Sequence, residues 1–138
     1  MQRTFGAIAV AATLVLGGMA AGCAKKINMS RSAAVPSVEA RLKVDKKEDN
    51  QKQIKVSVQH LAPVERLSPD AKHYVVWLQA KDAQAMPSNI GVLALDDDQE
   101  AELETSTPFE RFDVFVTAEE DAQATTPRGE RVLWATVD

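Results

Sequence analysis

Reactive chemistry in this chain of 138 residues begins at Cys23, its only cysteine. A thiol is a strong nucleophile once ionised, and this one follows Ala20-Ala21-Gly22, side chains small enough for a peptidase to close on the extended backbone. His60 and His73 are the only histidines. A zinc site takes three or four ligands, so two separate histidines without a cysteine read as solvated side chains at strand ends. Asp96-Asp97-Asp98 with Glu100, Glu102 and Glu104 offers the clustered oxygens that calcium takes. That stretch has no glycine for a tight liganding loop, and its glutamates alternate, so they share the solvent face of one strand. No serine stands in a nucleophile elbow and no glycine-rich phosphate loop occurs. The expectation is no catalytic residue, no metal site and no cofactor.

The context of Cys23 is more specific. Met1-Gln2-Arg3 carries one positive side chain, and the uncharged run from Thr4 to Gly22 holds Phe5, Ile8, Val10, Leu14, Val15, Leu16 and Met19. This is the layout of a secretory signal. Ala20-Ala21-Gly22-Cys23 resembles the lipobox of bacterial lipoproteins, with Ala20 where that family more often has Leu. The resemblance implies cleavage before Cys23 and a diacylglycerol on its thiol, with acyl chains such as palmitate in the membrane. An uncleaved span is the alternative, since about 18 apolar residues cross a bilayer. The Ala and Gly padding suits a cleaved segment better. A thioether sulfur forms no disulfide, so the rest of the chain must fold by packing alone.

The expected organisation is a signal peptide over 1–22, a lipidated tether over 23–36 and a β-sandwich domain over 37–138. Ala24–Ala34 is polar, small and basic without sustained periodicity, and Lys25, Lys26 and Arg31 would lie near lipid headgroups. Lipoproteins retained in the inner membrane typically carry Asp at the position of Ala24. The resemblance therefore implies the outer membrane, facing periplasm or exterior, in a cell that has two.

From Val38 the pattern has period two. Val38, Ala40, Leu42 and Val44 alternate with polar residues, as do Ile54, Val56 and Val58, then Ala101 and Leu103, then Phe112, Val114 and Val116. Alternation of this kind marks half-buried strands. Tyr74–Leu78 and Ile90–Leu95 are continuously apolar and read as central strands or strands covered on both faces. Arg131–Val137 closes the chain, and Trp134 there suits an edge strand with one wet face. Turn-forming clusters separate these segments, among them Lys47-Glu48-Asp49-Asn50, Leu67-Ser68-Pro69-Asp70, Asp96-Asp97-Asp98 and Thr126-Pro127-Arg128-Gly129. The last fits a type I turn with Pro second and Gly fourth. About seven strands without a helical segment predict an all-β, antiparallel, immunoglobulin-like sandwich, with an open barrel as the alternative. In it Trp77 is a core anchor between the sheets whose indole N–H needs an acceptor.

Tyr74-Val75-Val76-Trp77-Leu78, Ile90-Gly91-Val92-Leu93, Val114-Phe115-Val116-Thr117-Ala118-Glu119 and Pro127-Arg128-Gly129 before Val132-Leu133 occur in that order. Together they resemble the extracytoplasmic C-terminal β-sandwich of anti-sigma-K-type factors, over roughly residues 72–137. That family usually has Glu-Pro and Gly-Gly after its Val-Thr strand, where this chain has Glu119-Glu120-Asp121-Ala122. The cytoplasmic helical region that grips a sigma factor has no counterpart in the sequence. The resemblance implies a fold and a location, not sigma-factor inhibition.

Charge is unevenly distributed. Ala24–Lys81 holds 12 Lys and Arg against 6 Asp and Glu, whereas Asp82–Asp138 holds 3 against 14. One reading pairs early cations such as Lys43, Lys52 and Lys55 with late carboxylates across the sheet. The other is an acidic surface docking on a basic protein or polymer. Nucleic-acid binding suits neither the charge nor the expected location. The functional expectation is a membrane-anchored, non-enzymatic binding or structural module, the alternative being a sensor-like domain of an envelope signalling system.

Overall fold

The computed structural model describes residues 24–82 and 85–138, so Cys23 and the signal expected over 1–22 lie outside the described residues. Among the described residues nine strands form two antiparallel sheets: β1 (Lys25–Asn28), β2 (Ser30–Arg31), β3 (Glu39–Lys46), β4 (Lys52–Gln59), β5 (His73–Ala80), β6 (Ser88–Leu93), β7 (Ala101–Thr107), β8 (Phe112–Glu119) and β9 (Arg131–Val137). Sheet A runs β1-β3-β4-β7 and sheet B runs β2-β9-β8-β5-β6. Hairpins join β3 to β4, β5 to β6 and β8 to β9, while the remaining links from β4 onward cross between sheets. This is the antiparallel, immunoglobulin-like sandwich that the sequence predicts, and its connections between the sheets are of the Greek-key kind.

The period-two residues face each other across the sheets. Ala40, Leu42 and Val44 of β3 and Ile54, Val56 and Val58 of β4 are buried against Tyr74, Val76 and Leu78 of β5 and Phe112, Val114 and Val116 of β8. The β3–β4 hairpin turns at Asp49 and Asn50, both with φ near +60°. Short polar side chains tolerate this conformation, whose twist matches the flanking strands. Two bulges adjust the register. One lies between Val116 and Thr117 of β8, opposite β9, where Val132 and Leu133 are both buried in the core, as the extra residue of a bulge allows. The other lies on β6, where Val76 pairs with Gly91 and Trp77 with Asn89. Gly91 has φ +142°, a backbone conformation that side-chain-bearing residues rarely adopt, so conformation calls for glycine.

Two expectations need correction, and one pair of alternatives is decided. The segment read as a tether supplies two strands: β1 pairs with β3, β2 pairs with β9, and Met29 between them is buried. This one segment crosses from sheet A to sheet B. Its strands of four and two residues are too short and polar to show a period, and backbone bonding to existing sheet edges holds them. β9 is consequently interior rather than an edge, and Trp134 is half-buried. β6 is an edge strand, so of the two readings offered for its apolar run the strand covered on both faces holds. Its apolar run reflects contact on both faces, with Leu93 in the intersheet core and Val92 on the outer side of sheet B. Apolarity reports covered faces and carries no information on lateral neighbours.

Candidate functional site

Trp77 is fully buried, as expected, but not between the sheets. With Val75 and Phe115 it forms a second apolar cluster on the outer face of sheet B, against which Val92, Ala124 and Trp134 pack. Alternation dictates this: Tyr74, Val76 and Leu78 point to the main core, so Val75 and Trp77 point away from it. The Trp77 and Phe115 rings stack with centroids 6.5 Å apart, and the Arg131 guanidinium lies 3.9 Å from the Phe115 centroid. Phe115, which interrupts the alternation of β8, is explained by this second core.

The link between β8 and β9, residues 120–130, roofs the cluster. Its attachment is polar. Asn89 Nδ2 donates to the carbonyls of Ala122 and Ala124, each at 3.0 Å, while its Oδ1 accepts from Gly91 N–H at 3.0 Å. Asp121 Oδ1 accepts from Gln123 N–H at 2.9 Å. The central fastening is Glu119, which is only 4% exposed. Its Oε2 accepts from the Thr117 hydroxyl at 2.6 Å and from Arg128 and Gly129 N–H at 3.0 Å each. Thr117 Oγ1 in turn accepts the Trp77 indole N–H at 2.8 Å. A buried carboxylate persists where donors converge on it.

This network changes the reading of the Pro127-Arg128-Gly129 turn. A hydrogen-bonded type I turn would direct Gly129 N–H to the Thr126 carbonyl, whereas that N–H donates to Glu119. Glycine is needed for another reason: an added Cβ at position 129 would fall 1.7 Å from the Ala118 carbonyl oxygen. The roof lies directly on the β8 backbone. Trp77, Thr117, Glu119 and the Arg128-Gly129 backbone are thus one hydrogen-bonded unit. Glu119 and Thr117 were visible in the sequence as parts of a motif, but nothing local showed that they meet the 127–129 segment.

Beside this unit a cleft of about 670 Å³ opens between residues 68–72 and the roof, lined among others by Ser68, Asp70, Lys72, Glu119, Asp121 and Arg128. Its rim mixes both charges and suits a polar ligand. Its buried carboxylate already holds three donors on one oxygen, which makes it a clamp on the roof before anything else.

The other candidate residues are dispersed. His60 is exposed just after β4, and His73 is half-buried at the start of β5, where its Cα pairs with that of Glu119. Among the described residues no three His, Cys, Asp or Glu side chains gather in metal-binding geometry. Asp96 Oδ1 accepts from the N–H groups of Asp98 and Glu100, at 2.8 and 3.0 Å, which shapes the β6–β7 turn. Glu102 and Glu104 face Lys55 across the β4–β7 ladder, at 3.4 and 4.0 Å, and Gln53 Nε2 donates to Glu104 at 3.0 Å. Pairing across the sheet therefore holds for Glu102 and Glu104, while Asp96, Asp97 and Asp98 make no ion pair among the described residues. Lys43 reaches Asp45 at 3.9 Å, and Lys52 Nζ donates to the Glu110 carbonyl at 2.6 Å; neither meets those carboxylates.

Tyr74 supplies a titration. Its hydroxyl donates to the Ala62 carbonyl at 2.6 Å, and burial, aided by the nearby Glu65 charge, pushes its pKa up to about 12. The folded state holds this proton more tightly than the unfolded chain, so the contribution to stability is complete below pH about 10 and disappears as pH rises through about 12. The expected loss is about 1–2 kcal/mol, below the full two-unit equivalent because the hydroxyl is only part-buried. Tyr74 is the single tyrosine, so tyrosinate absorbance reports it alone. A midpoint near 10 in the folded protein contradicts this assignment.

No helix among the described residues is long and apolar enough to cross a membrane. In comparisons with known proteins, no family model matches the chain, and no curated protein matches it.

Proposed function

We propose that the protein is a membrane-anchored extracytoplasmic lipoprotein whose β-sandwich serves as a non-enzymatic binding or structural module of the cell envelope. The observation that carries this reading is the Ala20-Ala21-Gly22-Cys23 junction at the end of an uncharged run that follows Arg3. In support, β1 opens at Lys25, so an acyl chain on Cys23 would lie only two residues from folded structure. The partners on this reading are the membrane, through the lipid, and an envelope protein or polymer, with no nucleic acid. Cys23→Ser is expected to move the protein from the membrane to the soluble fraction or to leave it as unprocessed precursor. Each acyl CH₂ that is lost removes about 0.8 kcal/mol of membrane affinity. Mass spectrometry of the wild-type N-terminus provides the check, and an unmodified Cys23 on mature, membrane-extracted protein rejects the reading.

A second reading is a sensor-like domain acting with a separate signalling protein. It is supported by the gathering of the resemblance-bearing residues Trp77, Thr117, Glu119 and Gly129 into one unit. Cross-linking in native membranes tests it: recovery of a membrane signalling protein favours sensing, and recovery of structural envelope proteins alone sets it aside.

A further inference from the structure

The strands give the sandwich two unlike ends. Lys25, which opens β1, pairs with Val44 near the end of β3, and Lys46 at that end pairs with Lys52 at the start of β4. Lys52 in turn pairs with Thr107 at the end of β7. In sheet B, Phe112 at the start of β8 pairs with Ala80 at the end of β5 and with Val137 at the end of β9. The β3–β4, β5–β6 and β7–β8 links therefore all lie at the end from which β1 begins.

That end carries both of the large, strongly exposed apolar side chains found among the described residues. Met86 is 69% exposed in the β5–β6 link, and Phe109 is 41% exposed in the β7–β8 link. Single exposed apolar residues need no explanation, but two on adjacent loops at one end do. Lys25, Lys26, Lys46 and Lys47 are exposed at the same end and make no ion pair among the described residues. Its carboxylates Asp82 and Asp138 are held below their usual range chiefly by hydrogen bonds from Arg111 and Lys81 respectively, with the Lys25 charge adding to the effect at Asp138, and the four lysines stand beside Glu48, Asp49 and Glu110. The opposite end is acidic, with Asp96, Asp97, Asp98, Glu120, Asp121 and Glu130 in the β6–β7 and β8–β9 links.

We infer that the end bearing Met86 and Phe109 docks on an anionic phospholipid surface, the two apolar side chains entering the headgroup layer while Lys25, Lys26, Lys46 and Lys47 meet lipid phosphates. The inference deepens the lipoprotein reading and rests on it for the proximity of the bilayer. Only Ala24 separates Cys23 from Lys25, and a chain extends at most about 3.6 Å per residue, so an anchor on Cys23 leaves this end no room to stand away from the membrane. Attraction of the lysines to anionic headgroups and repulsion of the acidic end both turn the molecule the same way. Lysine-rich surface beside exposed apolar side chains is the composition of interfacial membrane contacts.

The test uses full-length protein, processed and reconstituted in vesicles of mixed zwitterionic and anionic phospholipid. Met86→Cys, Phe109→Cys and, at the acidic end, Thr125→Cys are labelled with an environment-sensitive fluorophore. Labels at 86 and 109 should shift to the blue and resist an aqueous collisional quencher several-fold better than the label at 125. Lys46→Glu with Lys47→Glu should reduce that protection. Intact mass of the N-terminus, read on the same samples, keeps the two claims apart. Labels at 86 and 109 as open as that at 125 on acylated protein overturn the docked end and leave the anchor standing. On protein without an acyl chain, a blue shift on adding vesicles retains the docked end while the anchor reading falls. No shift there overturns both.

Discussion

Trp77→Ala is expected to destabilise the domain by about 3–5 kcal/mol, the usual range for removing a fully buried Trp and a large part of the 5–15 kcal/mol typical of a whole domain. Three losses coincide. The cavity opens in a cluster of only three fully buried residues, Val75, Trp77 and Phe115, so few neighbours can collapse into it. The stacking on Phe115 disappears. Thr117 Oγ1 loses the donor that lay 2.8 Å away. Trp77→Phe separates these effects by keeping an aromatic ring while deleting the N–H, and should cost about 1–2 kcal/mol. Denaturant unfolding measures both. A loss below about 1 kcal/mol for Trp77→Ala would show that the outer cluster is not a second core.

The second large effect is expected at Glu119. Glu119→Ala strands the N–H groups of Arg128 and Gly129 and the hydroxyl of Thr117, all aimed at one oxygen. A buried polar group left without its partner costs about 1–3 kcal/mol. Some of the donors will reach water once the roof lifts, so we expect a loss of about 2–5 kcal/mol. The change should be local before it is global. Amide exchange at Arg128 and Gly129 should accelerate, the 120–130 segment should become cleavable by protease, and Trp77 fluorescence should shift to the red. Glu119→Gln retains a carbonyl acceptor and should be milder on every readout. Full stability with Arg128 and Gly129 still protected in Glu119→Ala would remove the carboxylate from the account of the roof. Gly129→Ala offers an independent approach to the same joint, because its new methyl meets the Ala118 carbonyl rather than a flexible side chain. It should open the roof while leaving the carboxylate in place.

These two residues also mark the boundary of what was legible beforehand. The sandwich was visible because alternation is local: in β3 and β4 each apolar residue is followed by a polar one, and a pleated strand sends successive side chains to opposite faces. The β3–β4 turn at Asp49-Asn50 was visible for a similar reason, since its conformation depends on the residues that adopt it. The burial of Trp77 followed from its apolar setting, but its side of the sheet did not. Trp77 lies on one face of β5 by parity, and that face is a core only because the 120–130 segment folds over it.

Glu119 shows the same limit more sharply. In sequence it is the polar end of a strand beside Glu120 and Asp121, and nothing local marks it as buried. Its burial depends on two backbone N–H groups that lie 9 and 10 residues further along and on Thr117, which in turn bonds an indole 40 residues earlier. The segment over 25–31 was likewise unreadable as strand, because it pairs at the edges of two different sheets and shows a strand-like period in neither. The sequence by itself determined the seven strands β3 to β9 and most of the turns between them, since these follow from neighbouring side chains. Tertiary structure alone decided which strands stand at edges, which outer face acquires a second core and which end of the sandwich gathers Met86, Phe109 and the exposed lysines. Each of those depends on contacts between residues far apart in the chain, which local patterning does not record.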